Sequence, residues 1–117
     1  MVEASYPPRV MYIERKEESL VGSARTGRVT FSRTGTTIYY GGKSFRKISG
    51  FKSNYMEEAS RAEYWISGPK RNGEDRLYAS NIPIEIDEDV REEYWTEIRK
   101  KPEWKDRSTT TGGKSRA

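Results

Sequence analysis

The chain has 117 residues, of which 32% are hydrophobic, 12% aromatic and 34% charged, and its formal net charge is +4. This length suits one small domain and is too short for a two-domain enzyme. The sequence contains no Cys and no His, which excludes Cys/His zinc sites, thiol chemistry and histidine-based acid–base catalysis.

The sequence shows neither a secretory leader nor a membrane-spanning run. Its first ten residues contain no basic segment followed by an apolar one. Its wholly apolar runs are only about three residues long, whereas a spanning helix needs about 20. We therefore expect a cytoplasmic protein that has no membrane partner, binds no metal and uses no cofactor.

Both ends of the chain are predicted to lie outside the folded domain. Residues 1–8 close with two prolines, and residues 102–117 are rich in Ser, Thr, Gly and charged residues. Such segments bury too little apolar surface to offset the entropy lost on ordering. The sequence predicts a flexible N-terminus at 1–8, one domain at 9–101 and a disordered tail at 102–117. Within that tail, only Trp104 offers a side chain large enough to dock.

Between these ends the apolar residues mostly alternate with polar ones, which is typical of half-buried strands. Gly35 and the pair Gly41-Gly42 supply the turns of a meander of closely spaced strands, because glycine tolerates the positive φ of tight hairpins. The predicted strands cover residues 10–13, 27–32, 36–40, 43–48 and 63–67, with short edge pieces at 76–78 and 83–86.

One helix is predicted at about 88–100. Acidic residues at 87–89 and basic residues at 99–101 complement the two ends of the helix dipole, and Pro102 stops the helix. Its apolar residues form one stripe that consists of Val90, Tyr94, Trp95 and Ile98. The fold class expected is mainly β (α+β): a small antiparallel SH3-like barrel, or a bent sheet, of five to six strands with this one C-terminal helix. An OB-type barrel is the second choice.

Several sequence runs resemble a group of short uncharacterised bacterial proteins. The runs are MYIERK at 11–16, GRVTFSRTGTTIYY at 27–40, EYWISGPK at 63–70 and IEIDEDVREEYW at 84–95. The resemblance spans about residues 11–99 and implies a bacterial, cytosolic origin. It implies no established activity.

Charge is distributed unevenly along the chain. Residues 1–53 carry a net charge of +6, and residues 57–99 carry −6. In the basic part, cations alternate with aromatic rings, a pattern that small barrels use to hold single-stranded nucleic acid. The same pattern also arises when cations fill the solvent face of an ordinary sheet. The candidate binding surface consists of Arg25, Arg28, Arg33, Tyr39, Tyr40, Lys43, Arg46, Lys47 and Trp65.

Three functions of different classes fit this sequence. The first is a non-catalytic interaction module that binds a protein, a peptide or a second copy of itself. The alternative is a barrel that binds single-stranded nucleic acid through the basic strands of residues 25–52. A remote third is a metal-independent ribonuclease in which Arg25, Thr26 and Arg28 would stabilise a pentacoordinate phosphate. The sequence contains no catalytic motif, so the first function is preferred.

Overall fold

A six-stranded antiparallel barrel forms the centre of the computed structural model, which describes residues 6–16, 23–50, 53–73, 75 and 82–111. Two further strands extend the sheet, and one helix follows in the C-terminal part. The strands are β1 (Arg9–Lys16), β2 (Ala24–Phe31), β3 (Thr37–Tyr40), β4 (Lys43–Lys47), β5 (Tyr55–Glu57), β6 (Glu63–Ser67), β7 (Pro83–Ile86) and β8 (Thr109–Thr111). The prediction of a mainly β barrel with one C-terminal helix is confirmed.

The barrel closes because β1 pairs on both of its edges. Around the barrel the order is β1-β6-β5-β4-β3-β2, and β2 pairs with β1 again, with Ile13 opposite Arg25. Every neighbouring pair in this ring is antiparallel. Side chains alternate between inside and outside along each strand, and the buried residues of the inner core are Met11, Ile13, Val29, Ile38, Phe45 and Ile66.

Strand β2 is the point where the barrel and the extension meet. Its final residues, Thr30 and Phe31, pair with β3. Its early residues, Arg25 and Thr26, pair with β7 instead, in parallel. Because β7 occupies that edge, β2 and β3 are not paired at the end of the barrel where β2 begins. Strand β7 lies between β2 and β8, so the edge position predicted for residues 83–86 is wrong.

A second core lies outside the barrel, against the outer face of β1. Strand β1 is buried on both faces from Val10 to Glu14, since Val10 and Tyr12 point away from the barrel interior. Strand β7 and the C-terminal helix at 88–98 cover these two side chains. This outer core consists of Val10, Ile86, Val90, Tyr94 and Trp95, followed by a smaller cluster of Tyr12, Ala24 and Ile84.

The C-terminal helix, which we define as residues 88–98, is irregular. It begins as a 3-10 turn at Glu88–Val90, continues as one α-helical turn at Arg91–Glu93 and widens into a π-helical turn at Tyr94–Ile98. Neighbouring residues of an α-helix point about 100° apart. The wider turn reduces that angle, so two consecutive side chains can point toward the same core. Tyr94 and Trp95 are consecutive, and both are buried in the outer core. The sequence predicted a regular helix. The structure has an irregular helix of similar length, which widens from its 3-10 start to its π-helical end.

The structure differs from the sequence prediction in the segment that follows the helix. Residues 102–111 were expected in a disordered tail, but they form a 3-10 helix at Pro102–Trp104 and strand β8, which pairs with β7. The Trp104 ring packs edge-on against Trp95 at 5.3 Å between centroids, and the Trp95 indole N–H donates to the Arg107 carbonyl at 3.0 Å. Aromatic packing and strand pairing thus order a segment that is poor in aliphatic residues.

At the other predicted boundary, the Tyr6 ring lies 6.1 Å from that of Phe31. Strand β5 was not predicted from the sequence. The strand predicted at 76–78 lies outside the described residues, as do residues 1–5 and 112–117 of the predicted ends. The SH3-like assignment stays a prediction.

We predict that Trp104→Ala lowers the free energy of unfolding by about 2–3 kcal/mol. This loss is smaller than the 3–5 kcal/mol typical of a fully buried Trp, because Trp104 is only half-buried. Urea denaturation measures the effect. The neighbouring exposed residue gives the control, since Glu103→Ala is expected to change stability by no more than about 0.5 kcal/mol. Equal stability of the two variants would show that the segment after the helix does not contribute to the fold.

Candidate functional site

One end of the barrel carries inward-facing polar side chains at its rim. Strand β2 begins there, and the β3–β4 hairpin turns there, with Tyr40 directly opposite Lys43. The two residues between them, Gly41 and Gly42, have φ values of +58° and +78°, as a tight two-residue hairpin requires. Arg25 of β2 lies on the same side of the sheet as the buried Val29, so it too faces this end of the barrel interior.

These residues surround a cavity of about 200 Å³, which we call the barrel mouth. Its buried residues, Ile13 and Phe45, belong to the inner core and form the floor. The Tyr64 ring packs edge-on against Phe45 at 4.8 Å and forms one wall. The more exposed residues form the entrance, and they are Ser23, Arg25, Tyr40, Gly41 and Lys43.

A carboxylate from outside the barrel organises this entrance. Asp87 follows β7, and its Oδ1 accepts hydrogen bonds from the Arg25 guanidinium at 2.7 Å, while its Oδ2 accepts one from the Tyr40 hydroxyl at 2.5 Å. Asp87 thereby bridges β2 and β3 where the two strands are not paired. Glycine is required at position 27, because a Cβ there would lie 2.3 Å from the Asp87 Oδ2 atom and 2.6 Å from the Tyr40 ring.

The titration properties of the network favour binding over proton transfer. Burial, followed by the hydrogen bond to Asp87, raises the pKa of Tyr40. The same carboxylate raises the pKa of Arg25. Both groups therefore hold their protons firmly at neutral pH, whereas a general acid or base needs a pKa near the working pH. The entrance offers a fixed positive charge and fixed hydrogen bonds.

Lys43 supplies the second cation of the entrance. Its side chain is exposed, and it makes no ion pair within the described part of the chain. The nearby Glu57 is already engaged, since its carboxylate accepts hydrogen bonds from the Ser60 hydroxyl and from the backbone N–H groups of Ala59 and Ser60. The Ser60 hydroxyl bond is the main cause of the lowered pKa of Glu57. The charge of Lys43 contributes to the same shift, so Glu57 stays ionised near Lys43 without forming an ion pair with it, and the exposed ammonium group can still donate to a ligand.

The outer face of the sheet carries three more of the sequence candidates. The Arg28 guanidinium donates to the Glu93 carboxylate at 2.7 Å, and Arg46 lies 3.6 Å from the Glu58 carboxylate. Tyr39 points outward with 43% of its surface exposed. The cations of this face are therefore neutralised within the chain, while one aromatic ring is open to solvent.

The remaining candidates lie elsewhere. Arg33 is in the β2–β3 turn, at the opposite end of the barrel, and Lys47 ends β4 near the Tyr55 ring at 5.9 Å. Trp65 packs with the cluster around Tyr12, and its indole N–H donates to Ser67 at 3.2 Å. Of the nine residues proposed from sequence, the structure brings only Arg25, Tyr40 and Lys43 together.

The three residues of the ribonuclease hypothesis do not form a common site. Arg25 faces the barrel mouth, whereas Thr26 and Arg28 belong to the opposite face of β2. Thr26 is fully buried, and Arg28 is paired with Glu93. A phosphate could not contact all three side chains at once.

Sequence reasoning missed most of the lining of the barrel mouth. Ile13, Phe45 and Tyr64 lay in predicted strands without being singled out, and Asp87 was assigned to the start of the helix. One signal was present in the sequence: across a two-residue Gly-Gly turn, Tyr40 and Lys43 must face each other, and Phe45 lies on the same side two positions later. The contribution of Asp87 could not be found this way, because 47 positions separate it from Tyr40.

A second polar cluster lies near the end of the helix. Arg99 donates to the Tyr94 hydroxyl and to the Thr110 hydroxyl, both at 3.0 Å. Asp75 is 6% exposed, and one of its carboxylate oxygens accepts a hydrogen bond from the Lys70 N–H at 2.7 Å, while the other has no hydrogen-bond partner in the described structure. Burial raises the pKa of Asp75 to about 6.

The described residues contain no group of three or more side chains suited to hold a metal ion. No helix within the described ranges has the length and apolar character to span a membrane. A comparison of the chain with protein-family models, with curated proteins and with solved structures finds no match.

We predict that Asp75→Asn stabilises the protein at pH 7.5 but not at pH 4. The folded-state pKa of Asp75, about 6, lies above the usual value of about 4. The folded state therefore binds the proton more tightly, and the contribution of Asp75 to stability falls as the pH rises from about 4 through 6. Across this window the difference between wild type and variant should change by about 3 kcal/mol, because one pKa unit corresponds to about 1.4 kcal/mol.

Chemical denaturation at a series of pH values measures this difference. The control is Asp106→Asn, because Asp106 is exposed, and its pH profile should follow that of the wild type. A pH profile of Asp75→Asn parallel to that of the wild type would contradict the assignment of Asp75 as a buried acid.

Proposed function

We propose that the protein is a non-catalytic interaction module that binds a segment of another protein at the barrel mouth. The observation that carries the proposal is the combination of an apolar floor, formed by Ile13 and Phe45, with a cationic entrance, formed by Arg25 and Lys43. Ligand sites typically combine apolar lining with a few polar groups that fix orientation.

Two properties of the entrance support binding. Asp87 fixes Arg25 and Tyr40 in position before any partner arrives, and this preorganisation lowers the entropy cost of association. Even so, 51% of the Arg25 side chain is exposed, so its guanidinium can also donate hydrogen bonds to a second anion.

The proposal is tested by selecting a displayed library of random peptides on the immobilised protein. Synthetic copies of the selected peptides are then measured by fluorescence anisotropy. We predict that Lys43→Glu weakens their binding at least tenfold, because the variant places a negative charge at the entrance. Perturbed amide NMR signals at Ser23, Gly41 and Lys43 of the wild type should map the contact.

The matched control is Lys47→Glu, which makes the same charge change in the same strand but at its other end. This variant should bind the selected peptides as tightly as the wild type. Thermal melts confirm that both variants fold. Peptides that bind Lys43→Glu and wild type equally would overturn the barrel mouth as the site, as would a library that yields no binder.

The second candidate function is binding of single-stranded nucleic acid on the outer face, which the exposed Tyr39 ring favours. A ring of this kind can stack on a base. The proposal ranks second because Arg28 and Arg46, the candidate cations of that face, both have carboxylate neighbours, whereas the barrel mouth also carries Lys43, which forms no ion pair in the described ranges. A phosphate chain would have to displace Glu93 and Glu58 and would meet their negative charges.

We predict that labelled oligo-dT and oligo-U bind no more tightly than about 100 μM at 50 mM salt, the weak end of ordinary non-specific affinity. Fluorescence anisotropy measures this binding. Tighter binding that weakens steeply between 50 and 200 mM salt would favour the nucleic-acid function. In that case the triple variant Arg28→Glu, Arg46→Glu and Lys47→Glu should abolish it without unfolding the protein.

A further inference from the structure

We infer that the barrel mouth binds the C-terminal residue of a partner protein, with its apolar side chain on the floor and its α-carboxylate at Arg25 and Lys43. The inference rests on the proposed function and narrows the partner segment to a chain end. Three observations support it: the shape of the cavity, the position of its charges relative to its apolar floor, and the N–H groups at the entrance that can still donate to an anion.

The shape of the cavity favours a chain end. Its floor residues, Ile13 and Phe45, are part of the closed inner core, so a peptide cannot pass through the barrel. The volume of about 200 Å³ is below the range of about 300–1,000 Å³ that holds drug-sized ligands. It exceeds the roughly 150 Å³ of a cavity that takes one benzene ring. The cavity therefore admits about one residue.

The positions of the charged and apolar parts of the cavity favour a C-terminal residue over an internal acidic residue as the ligand. The barrel mouth is apolar at its floor and cationic at its entrance. An internal Asp or Glu carries its carboxylate at the tip of the side chain, which would place the charge against Ile13 and Phe45 at a high desolvation cost. A C-terminal Leu, Ile, Val or Phe carries the carboxylate on its backbone and the apolar group at its tip. Such a residue would place its apolar side chain on the floor and its carboxylate at the entrance.

The charges at the entrance can hold one carboxylate. Lys43 has no ion-pair partner in the described ranges, although the ionised Glu57 lies near enough to interact with its charge. In the described ranges, the Arg25 guanidinium donates to the Oδ1 atom of Asp87 and also interacts with the Tyr40 hydroxyl, and it keeps half of its side chain exposed. Charge-assisted hydrogen bonds from a guanidinium and an ammonium are stronger than neutral ones. Recognition of a terminal carboxylate is an established mode of peptide binding.

The experiment compares peptides that differ only at their C-terminal group. Fluorescein-labelled Gly-Ser-Gly-Ser-X peptides, with X as Leu, Ile, Val or Phe, are prepared as free acids and as C-terminal amides. We expect at least one free acid to bind at least tenfold more tightly than its amide, as measured by anisotropy at 50 mM salt. Lys43→Glu should remove this preference, and Lys47→Glu should retain it.

The outcomes separate this inference from the proposed function. Equal binding of acid and amide would overturn recognition of the chain end while leaving the interaction module intact. The same conclusion would follow if only library-selected peptides with an internal binding sequence bound the protein. If neither these peptides nor any library peptide bind, both proposals fail. An acid preference that persists in Lys43→Glu and vanishes in Lys47→Glu would place the carboxylate elsewhere and overturn the assignment.

Discussion

The hydrogen-bonded group of Asp87, Arg25 and Tyr40 is the interaction on which the geometry of the barrel mouth depends. Strand β7 pairs with β2 where β3 would otherwise continue the barrel, so two barrel strands are left apart at one end. Asp87 occupies the gap and joins them through side chains. The same carboxylate directs two polar groups toward the cavity. The connection between β2 and β3 at this end and the chemistry of the barrel mouth therefore depend on the same residue.

The uneven charge of the sequence is partly balanced within the folded chain. The basic strand β2 contacts the acidic start of the helical region twice, through Arg25–Asp87 and Arg28–Glu93. These pairs are partly exposed, so each contributes little to stability on its own. Their larger effect is on the electrostatic field, because they reduce the positive potential of the meander. Lys43 is left as a localised positive charge beside an apolar cavity.

The sequence was informative wherever structure depends on near neighbours. Alternation and the Gly41-Gly42 turn predicted the β3–β4 hairpin, and the dipole-matched charges predicted the helix. Strand β5 has only three residues, too few to show a period. The parallel pairing of β2 with β7 joins distant segments and leaves no local pattern. For the same reason the barrel mouth was only partly predicted: Tyr40 and Lys43 face each other across a turn, whereas Asp87 arrives from another part of the chain.

The two cores of the fold are built from segments that the ribosome synthesises at different times. All six barrel strands lie between Arg9 and Ser67, whereas the elements that cover the outer face of β1 lie between Pro83 and Thr111. A ribosome working at about 5–20 residues per second needs about 2–9 s to add the intervening 44 residues. During that interval a closed barrel would present Val10 and Tyr12 to water. The helix and β7 therefore have a protective role in addition to their packing role, because they remove this apolar face from water.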